Sequence, residues 1–181
     1  MDREEKGNLE IEVKYKVNNE IELPKNYKDI EQFYTKITEE EEERFRWVRD
    51  SALTNKKLKN KYIKDESFYI TTKKGSGLIR EEKELETTQR KYNEAKENII
   101  GNIIEKRRYE IPYKVLGASY LIELDVYKGS LEGLMVAEVE CKSKLQVFIF
   151  KLFKPNWFEE DITEDKRYKN KNLALNGLYK L

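Results

Sequence analysis

Residues 9–17 read LEIEVKYKV, and this stretch decides the kind of fold. Apolar and charged residues alternate strictly along it. Successive side chains of a β-strand point to opposite faces, so one face here is apolar and the other is charged. The charged face carries two carboxylates followed by two cations, Glu10, Glu12, Lys14 and Lys16. The alternation predicts a strand that buries one face and keeps the other in a polar environment.

The same alternation recurs in seven further stretches of the chain. In chain order they are IEQFYTKI, ERFRWVR, FYITTK, LIREEKELE, EKRRYEI, YLIELDVY and MVAEVEC. Eight alternating strands suit a closed barrel, in which interior and exterior side chains alternate along every strand. We therefore predict a single, mainly β (α+β) domain over residues 1–181, built as a closed eight-stranded β-barrel with a few flanking helices.

Three stretches predict helices. Residues 87–100, TTQRKYNEAKENII, indicate a crossover helix, and residues 143–153, SKLQVFIFKLF, indicate a helix that stops near Pro155. Residues 163–178 predict a closing helix with Thr163 as its N-cap. The polar stretch 50–66 is predicted to be a hairpin loop with solvated lysines.

Composition narrows the function classes. The 36 Lys and Arg balance 35 Asp and Glu, which predicts no nucleic-acid or anionic-membrane partner. The absence of histidine excludes Ser-His-Asp and Cys-His catalysis, and the single Cys141 excludes an intramolecular disulfide. Any bound metal must then be a hard cation held by oxygen. No apolar run reaches the roughly 20 residues of a membrane span, and the start MDREEKGN is no signal peptide, so a cytoplasmic location is expected.

Carboxylates lie two residues apart on four of the predicted strands. Side chains at this spacing share a face, where like charges repel each other. Such a concentration of negative charge becomes favourable when metal ions sit among the carboxylates. The alternative is a solvated strand face, the usual place for charge. The pairs are Glu10 with Glu12, Glu82 with Glu84, Glu123 with Asp125, and Glu138 with Glu140.

Cationic residues follow the same polar faces. Arginine offers a planar fork that matches phosphate oxygens, and lysine offers a compact point charge. A lumen with carboxylates on some strands and cations on others could bind a polyanion, partly through metal and partly directly. Cross-strand salt bridges without a ligand are the alternative, and periodicity alone does not separate the two. The cations are Lys14, Arg44, Arg46, Lys73, Arg80, Lys106 and Arg108.

These motifs resemble a known family. The segment EIEVK, with Glu10, Glu12 and Lys14, resembles the ExExK signature of the triphosphate tunnel metalloenzymes, the CYTH superfamily. The later blocks follow in the family's order, from RFR and Lys73 through the remaining charged pairs to PNWFEEDITEDKRYKNKNLAL. The resemblance spans roughly residues 8–178 and is closest to small bacterial members that act as inorganic tripolyphosphatases.

The resemblance implies an eight-stranded antiparallel tunnel that holds triphosphate and two Mg²⁺ or Mn²⁺ ions and hydrolyses triphosphate to diphosphate and phosphate. One ion would clamp the phosphate chain, and the other would activate the attacking water. The phosphate-binding candidates are the seven cations named above, and the metal-site candidates are the eight paired carboxylates. The catalytic candidates are Glu138, Glu140 and Lys106, the last for proton transfer or the leaving group, with plain phosphate binding as its alternative.

Other activities stay open at this point. Within the superfamily these are a nucleoside or thiamine triphosphatase and a class IV-type adenylate cyclase; a polyphosphate-binding module is the non-enzymatic alternative. No feature assigns a base pocket, whereas Trp47 at a tunnel mouth could serve thiamine. Phe33 stands where relatives commonly have glycine, and the loop after Arg49 is long, which bears on substrate preference. Trp157 and Phe158 are predicted core anchors, and the oligomeric state is open.

Overall fold

The structure, a computed structural model, describes residues 11–57, 63–75 and 81–178 of the chain. Strands dominate it. No helix within these ranges is both long enough and apolar enough to cross a membrane. The helices are α1 (Ser51–Lys57), α2 (Gln89–Ala95), α3 (Lys144–Phe153) and α4 (Asn170–Asn176). The strands are β1 (Ile11–Val17), β2 (Lys28–Ile37), β3 (Glu41–Asp50), β4 (Glu66–Lys74), β5 (Glu81–Thr87), β6 (Ile100–Val115), β7 (Ala118–Tyr127), β8 (Met135–Cys141) and β9 (Phe158–Asp161).

The strands form one antiparallel sheet in the order β5-β4-β3-β2-β6-β7-β8-β1-β9. All eight predicted strands are present within the described residues; Leu9, Glu10 and residues 78–80 of two of them lie outside those residues. Strand β9 is an addition that the alternation did not predict. Over the described ranges the sheet ends at β5 and β9 and is not closed by hydrogen bonds. The closed eight-stranded barrel is therefore not confirmed; the mainly β architecture is.

The edge of β1 that faces away from β8 explains the open seam, because other segments already occupy it. Strand β9 pairs with β1 at Tyr15 and Val17. Just beyond β9, Ile162 N donates to Lys14 O at 2.9 Å, and Lys14 N donates to the Thr163 hydroxyl at 3.0 Å. This edge of β1 is thus already occupied where β5 would have to pair in a closed barrel.

The hydroxyl of Thr163 also corrects a helix boundary. Because it binds the edge of β1, Thr163 does not cap the closing helix. Asp165 instead caps a short 3-10 helix, Lys166–Tyr168, which precedes α4.

The stretch after Arg49 that was predicted to be a loop begins with helix α1. The backbone N–H groups of Ala52 and Leu53, at the start of this helix, donate to Asp50 Oδ1. The helices predicted in 87–100 and 143–153 are confirmed as α2 and α3, and α3 ends before Pro155.

The apolar strand face is covered by helices on the outside of the curved sheet. Helix α3 inserts Phe150, which is fully buried, against Tyr15 and Phe158 at ring-centroid distances of 6.2 and 5.4 Å. Helix α2 places Tyr92 against Phe33, so the residue that departs from the family pattern is a core residue. The predicted anchor Phe158 is buried, and Trp157 packs beside it. Burial of this face on the outside leaves the charged face to the concave side.

Asp29 joins three parts of the sheet on its outer side. Its carboxylate accepts from Arg49 on β3 at 3.2 Å, from Arg107 on β6 at 3.1 Å and from Lys128 after β7 at 2.8 Å. Burial by itself would raise the pKa of Asp29, but these three cations outweigh that effect and lower it. A carboxyl with a lowered pKa stabilises the fold above its unfolded pKa, and that stability is lost as pH falls through the folded pKa.

We therefore expect Asp29→Asn to lower the free energy of unfolding by about 1–3 kcal/mol at neutral pH, the usual worth of hydrogen bonds to a charged group. The difference from the wild type should shrink as the solution is acidified below the lowered pKa. Urea denaturation at the two pH values measures it, with the exposed Glu20→Gln as a control that changes little. An equal loss at both pH values would contradict the ionic clamp.

Candidate functional site

The concave face of the sheet encloses a cavity of about 350 Å³. Every strand from β1 to β8 contributes at least one side chain to its wall, so the open seam between β5 and β1 does not prevent the sheet from surrounding it. Lys73 on β4 and Glu12 on β1 both line the cavity, although they come from opposite sides of the seam. The lining residues are Glu12, Lys14, Gln32, Tyr34, Glu42, Arg44, Arg46, Thr71, Lys73, Glu82, Lys106, Arg108, Glu123, Glu138, Glu140, Lys169, Asn170 and Lys171.

Strand register explains why the charged residues meet. Lys14 lies opposite Glu138, which lies opposite Glu123 on the next strand. Farther along the same face of the sheet, on β3 to β5, Arg44 lies opposite Thr71 and Lys73 lies opposite Glu82. Paired residues of an antiparallel ladder project to the same side. The two-residue spacing seen along each strand therefore becomes a continuous charged surface across the sheet.

Most of the predicted site residues lie in this cavity, but two of the described ones do not line it. Glu84 lies in an adjoining cavity of about 380 Å³, whose wall also includes Arg46 and Arg108. Asp125 is fully buried behind the wall, in contact with two lining cations. Glu10 and Arg80 lie outside the described residues. The other eleven predicted residues are brought together as expected.

Arg108 is the hub of the carboxylate-rich side. Its guanidinium donates to both oxygens of Asp125 at 2.7 Å, to Glu138 at 3.2 Å, and also to Glu123. Burial opposes the charge of Arg108, but the three carboxylates outweigh it and raise the pKa of this arginine. One cation on β6 thus ties together carboxylates from β7 and β8.

Lys106 is bound to the same buried carboxylate. Its Nζ lies 2.5 Å from Asp125 Oδ2, and both side chains are almost completely buried, at 2% and 0% exposure. Burial lowers the pKa of Lys106 to about 8, with Asp125 opposing the shift. Burial would raise the pKa of Asp125, but Arg108 and Lys106 together lower it. Asp125 is therefore a buried anion that orients two cations toward the cavity.

The opposite wall presents two arginines whose guanidinium groups are only partly satisfied. Arg46 donates to both oxygens of Glu84 at 2.9 and 2.7 Å, and Arg44 donates to the Thr71 hydroxyl at 3.2 Å. Burial and then the charge of Arg44 lower the pKa of Arg46, a sign of crowded positive charge. Among the described buried side chains, three nitrogens have no hydrogen-bond partner, and all belong to lining residues: Gln32 Nε2, Arg44 Nε and Arg46 Nε.

The carboxylates suit a hard cation in donor type. Glu12, Glu123, Glu138 and Glu140 present oxygen to the cavity, as Mg²⁺ and Mn²⁺ require. Burial, and then the negative charge of Glu138, raise the pKa of Glu12, and a cation between the two would relieve that repulsion. In the described ranges no three carboxylates gather as a preformed metal centre, and Glu138 is engaged by Lys14 at 2.6 Å. The ion pairs would have to open for a metal to bind.

Comparison with curated proteins identifies the family. The chain is 41% identical over 110 residues to an inorganic triphosphatase of Nitrosomonas europaea, covering 60% of this chain and 68% of the relative. The chain belongs to the inorganic triphosphatase family. An inorganic triphosphatase of Acetivibrio thermocellus is 30% identical over 123 residues, covering 67% of this chain and 74% of that relative. The resemblance to the small bacterial tripolyphosphatases is thereby confirmed.

A solved structure agrees with the sequence comparison. The crystal structure of an inorganic triphosphatase superposes with a TM-score of 0.62 at 30% identity, covering 92% of this chain and 94% of that chain. No protein-family model matches the chain. The structural likeness extends over nearly the whole chain and includes the strands that build the cavity.

Seven lining residues were not predicted from the sequence. Period-two alternation, extended along β2, β3 and β4, would have found Gln32, Tyr34, Glu42 and Thr71, because each lies two residues from another lining position. Lys169, Asn170 and Lys171 come from the start of α4, and no pattern in the sequence places them at the cavity. Lys171 reaches it through an ion pair with Glu42, and Asn170 accepts from the Tyr127 hydroxyl at 2.9 Å.

Removal of the hub should destabilise the fold strongly. We expect Arg108→Met to lower the free energy of unfolding by about 3–5 kcal/mol, because it leaves buried carboxylates without their shared cation. Chemical denaturation measures the change. Arg90→Met is the control: the Arg90 side chain is 82% exposed and forms an i,i+4 ion pair with the exposed Glu94. Near-equal stability of the two variants would show that Arg108 does not hold the wall together.

Proposed function

We propose that this chain hydrolyses inorganic triphosphate to diphosphate and phosphate in the central cavity, with the curved sheet acting as a tunnel wall. One observation carries the proposal: the cavity wall is rich in cations, and three of its lining residues, Gln32, Arg44 and Arg46, each hold a buried N–H donor that no described protein group accepts. A buried donor left unpaired costs about 1–3 kcal/mol, and the acceptor oxygens of a polyanion bound beside these residues would offset part of that cost. The names of the relatives, inorganic triphosphatases, support the same substrate.

The charge of the described wall suits phosphate. Eight cationic side chains face six carboxylates in the lining of the cavity. Arg44 and Arg46 would bind phosphate oxygens with planar forks, while Lys14 and Lys73 would add point charges. Glu84 and Asp125 would act through the arginines they hold, because both carboxylates are already bound to them. Arg80 is proposed as a further phosphate ligand on the resemblance alone.

The wall offers little to a base or a thiazolium ring. Among the described lining residues of the central cavity, Tyr34 is the one aromatic, and its side chain is 3% exposed. Trp47 was a candidate for stacking on thiamine, but its partners Phe45 and Phe68 lie in the outer core under α2, so it faces away from the cavity. These features favour inorganic triphosphate over nucleotides or thiamine triphosphate.

We propose that Mg²⁺ or Mn²⁺, as two ions, is required. Glu12, Glu123, Glu138 and Glu140 would hold them, with Glu10 and Glu82 as additional candidates. Bound metal would neutralise the phosphate chain and lower the pKa of an attacking water. The protein's own contribution is to bind and orient the chain between its two walls, since phosphoryl transfer depends mainly on positioning and electrostatics. Lys106 stays a predicted catalytic residue; its bond to Asp125 fixes its Nζ at the cavity wall.

Phosphate release from triphosphate, ATP and thiamine triphosphate, measured side by side, tests the assignment. We expect kcat/KM to be highest for triphosphate, because adenosine and thiamine add bulk without a partner in the wall. EDTA should abolish turnover, Mg²⁺ or Mn²⁺ should restore it, and Ca²⁺ should support it poorly because its coordination shell is larger and looser. Full activity in EDTA would reject the metal requirement, and equal or better turnover of ATP would reject the substrate.

One substitution can distinguish a role of Gln32 in binding triphosphate from a role in stabilising the fold. Gln32→Leu removes a buried unpaired donor, so the melting temperature of the ligand-free protein should stay level or rise. Affinity for triphosphate should fall about tenfold or more, the worth of one hydrogen bond to a charged oxygen. Melting curves and calorimetric titration with triphosphate measure both quantities.

A second glutamine serves as the matched control. Gln146 lies in α3, away from the cavity, and its side chain accepts from Lys142 N at 2.8 Å. Gln146→Leu should therefore leave triphosphate affinity unchanged. If Gln32→Leu bound triphosphate as tightly as the wild type, Gln32 would not be a substrate contact.

A further inference from the structure

Helix α3 has an apolar face that nothing in the described structure covers. Its inner side carries Phe150 into the core. Its outer side exposes Leu145, Phe148 and Leu152 at 66%, 63% and 63%. These three residues are three and four positions apart, so they form one stripe along the helix. Four of the eleven exposed large apolar side chains among the described residues belong to this ten-residue helix, the fourth being Phe153.

Lysines border the stripe. Lys144 lies four residues before Phe148 and Lys151 three residues after it, so both flank Phe148 on the helix surface, and both are exposed. Lys142 precedes the helix and is also exposed. The segment 142–158 contains four lysines and no aspartate or glutamate, in a chain whose charges otherwise balance. Lys151 pairs with Asp161 on β9 at 2.8 Å, and both partners remain solvent-accessible.

The apolar stripe and the lysines beside it indicate what kind of surface could bind this face of α3. A second copy of the chain in a two-fold dimer would place the same patch against itself and bring the lysines of both copies together. That arrangement repels. An anionic surface instead would attract the lysines while the leucines and Phe148 leave water. Helix α3 packs over β1, β6 and β8, so its exposed apolar side points away from the sheet, where a planar, deformable surface can contact it.

We propose that α3 docks this protein on an anionic lipid surface, lying in the plane of the headgroups with Leu145, Phe148 and Leu152 inserted and Lys142, Lys144 and Lys151 against the lipid phosphates. Short amphipathic helices with a cationic border bind such interfaces reversibly, with a strength set by apolar burial and electrostatic attraction. The balanced charge of the whole chain predicts no anionic-membrane partner. Segment 142–158 differs from that average because it is locally cationic. Helix α3 contributes no lining residue to the central cavity. Lys142, just before the helix, lines a neighbouring cavity that shares Glu12, Glu123, Glu138 and Glu140 with it, so the variants that test the proposal lie within α3.

Vesicle flotation tests the proposal on the full-length protein. We expect binding to vesicles of phosphatidylcholine mixed with phosphatidylglycerol, weak binding to phosphatidylcholine alone, and release at high salt. Phe148→Ser should reduce partitioning about tenfold through lost apolar burial, and Lys144→Glu should reduce it through charge. Leu85→Ser, which alters a side chain 51% exposed on β5, is the matched control and should bind like the wild type.

The folded state of each variant is verified by its melting temperature and by phosphate release from triphosphate, which should both match the wild type. No binding to the mixed vesicles, or equal partitioning of Phe148→Ser and the wild type, would overturn the proposal. A concentration-dependent dimer that Phe148→Ser abolishes would overturn it in favour of a second copy. Binding of an acidic peptide in place of the mixed vesicles would assign the face to a protein partner.

Discussion

The pairing of Arg108 with buried carboxylates is the constraint on which the rest of the structure depends. A cavity lined by ionised groups would be unstable if those groups faced only each other, because desolvation of charge is costly. Arg108 resolves this by binding Asp125, Glu138 and Glu123 from two neighbouring strands. With that hub in place, β6, β7 and β8 can turn their charged faces inward and their apolar faces to the helices outside.

The two walls of the cavity differ in how well their charges are satisfied. On the β6–β8 side, Asp125 is saturated by Lys106 and Arg108. On the β2–β3 side, Gln32, Arg44 and Arg46 keep unpaired donors, and burial followed by the charge of Arg44 lowers the pKa of Arg46. If these charged residues served only to stabilise the fold, their hydrogen-bond donors should be satisfied on both walls. The imbalance has a physical reason if an anionic substrate completes the second wall, at a cost in the stability of the empty protein.

The strands and most of the cavity lining could be predicted from the sequence because side chains along a β-strand alternate with a period of two. Glu138 and Glu140 must share a face whatever the strand pairs with, and the register then carries that face across the sheet. The ends of helices and the contacts at the edge of the sheet were harder to predict from the sequence. Thr163 satisfied every local criterion for an N-cap, but its hydroxyl binds Lys14 on β1, a contact across 149 positions of sequence. Local propensity cannot contain such a contact.

The sequence by itself determined which side chains of a strand share one face of the sheet. It also excluded histidine chemistry and indicated the family. All three follow from residue identity and spacing. Only the tertiary structure decided which charges are partners, because ion pairing depends on strand order. It placed Lys169 to Lys171 at the cavity and buried Asp125 behind Arg108. Within the described ranges it also left β5 and β1 without ladder hydrogen bonds to each other. Strand order is set by long-range burial of the apolar face under α2 and α3, and no periodicity along one strand records it.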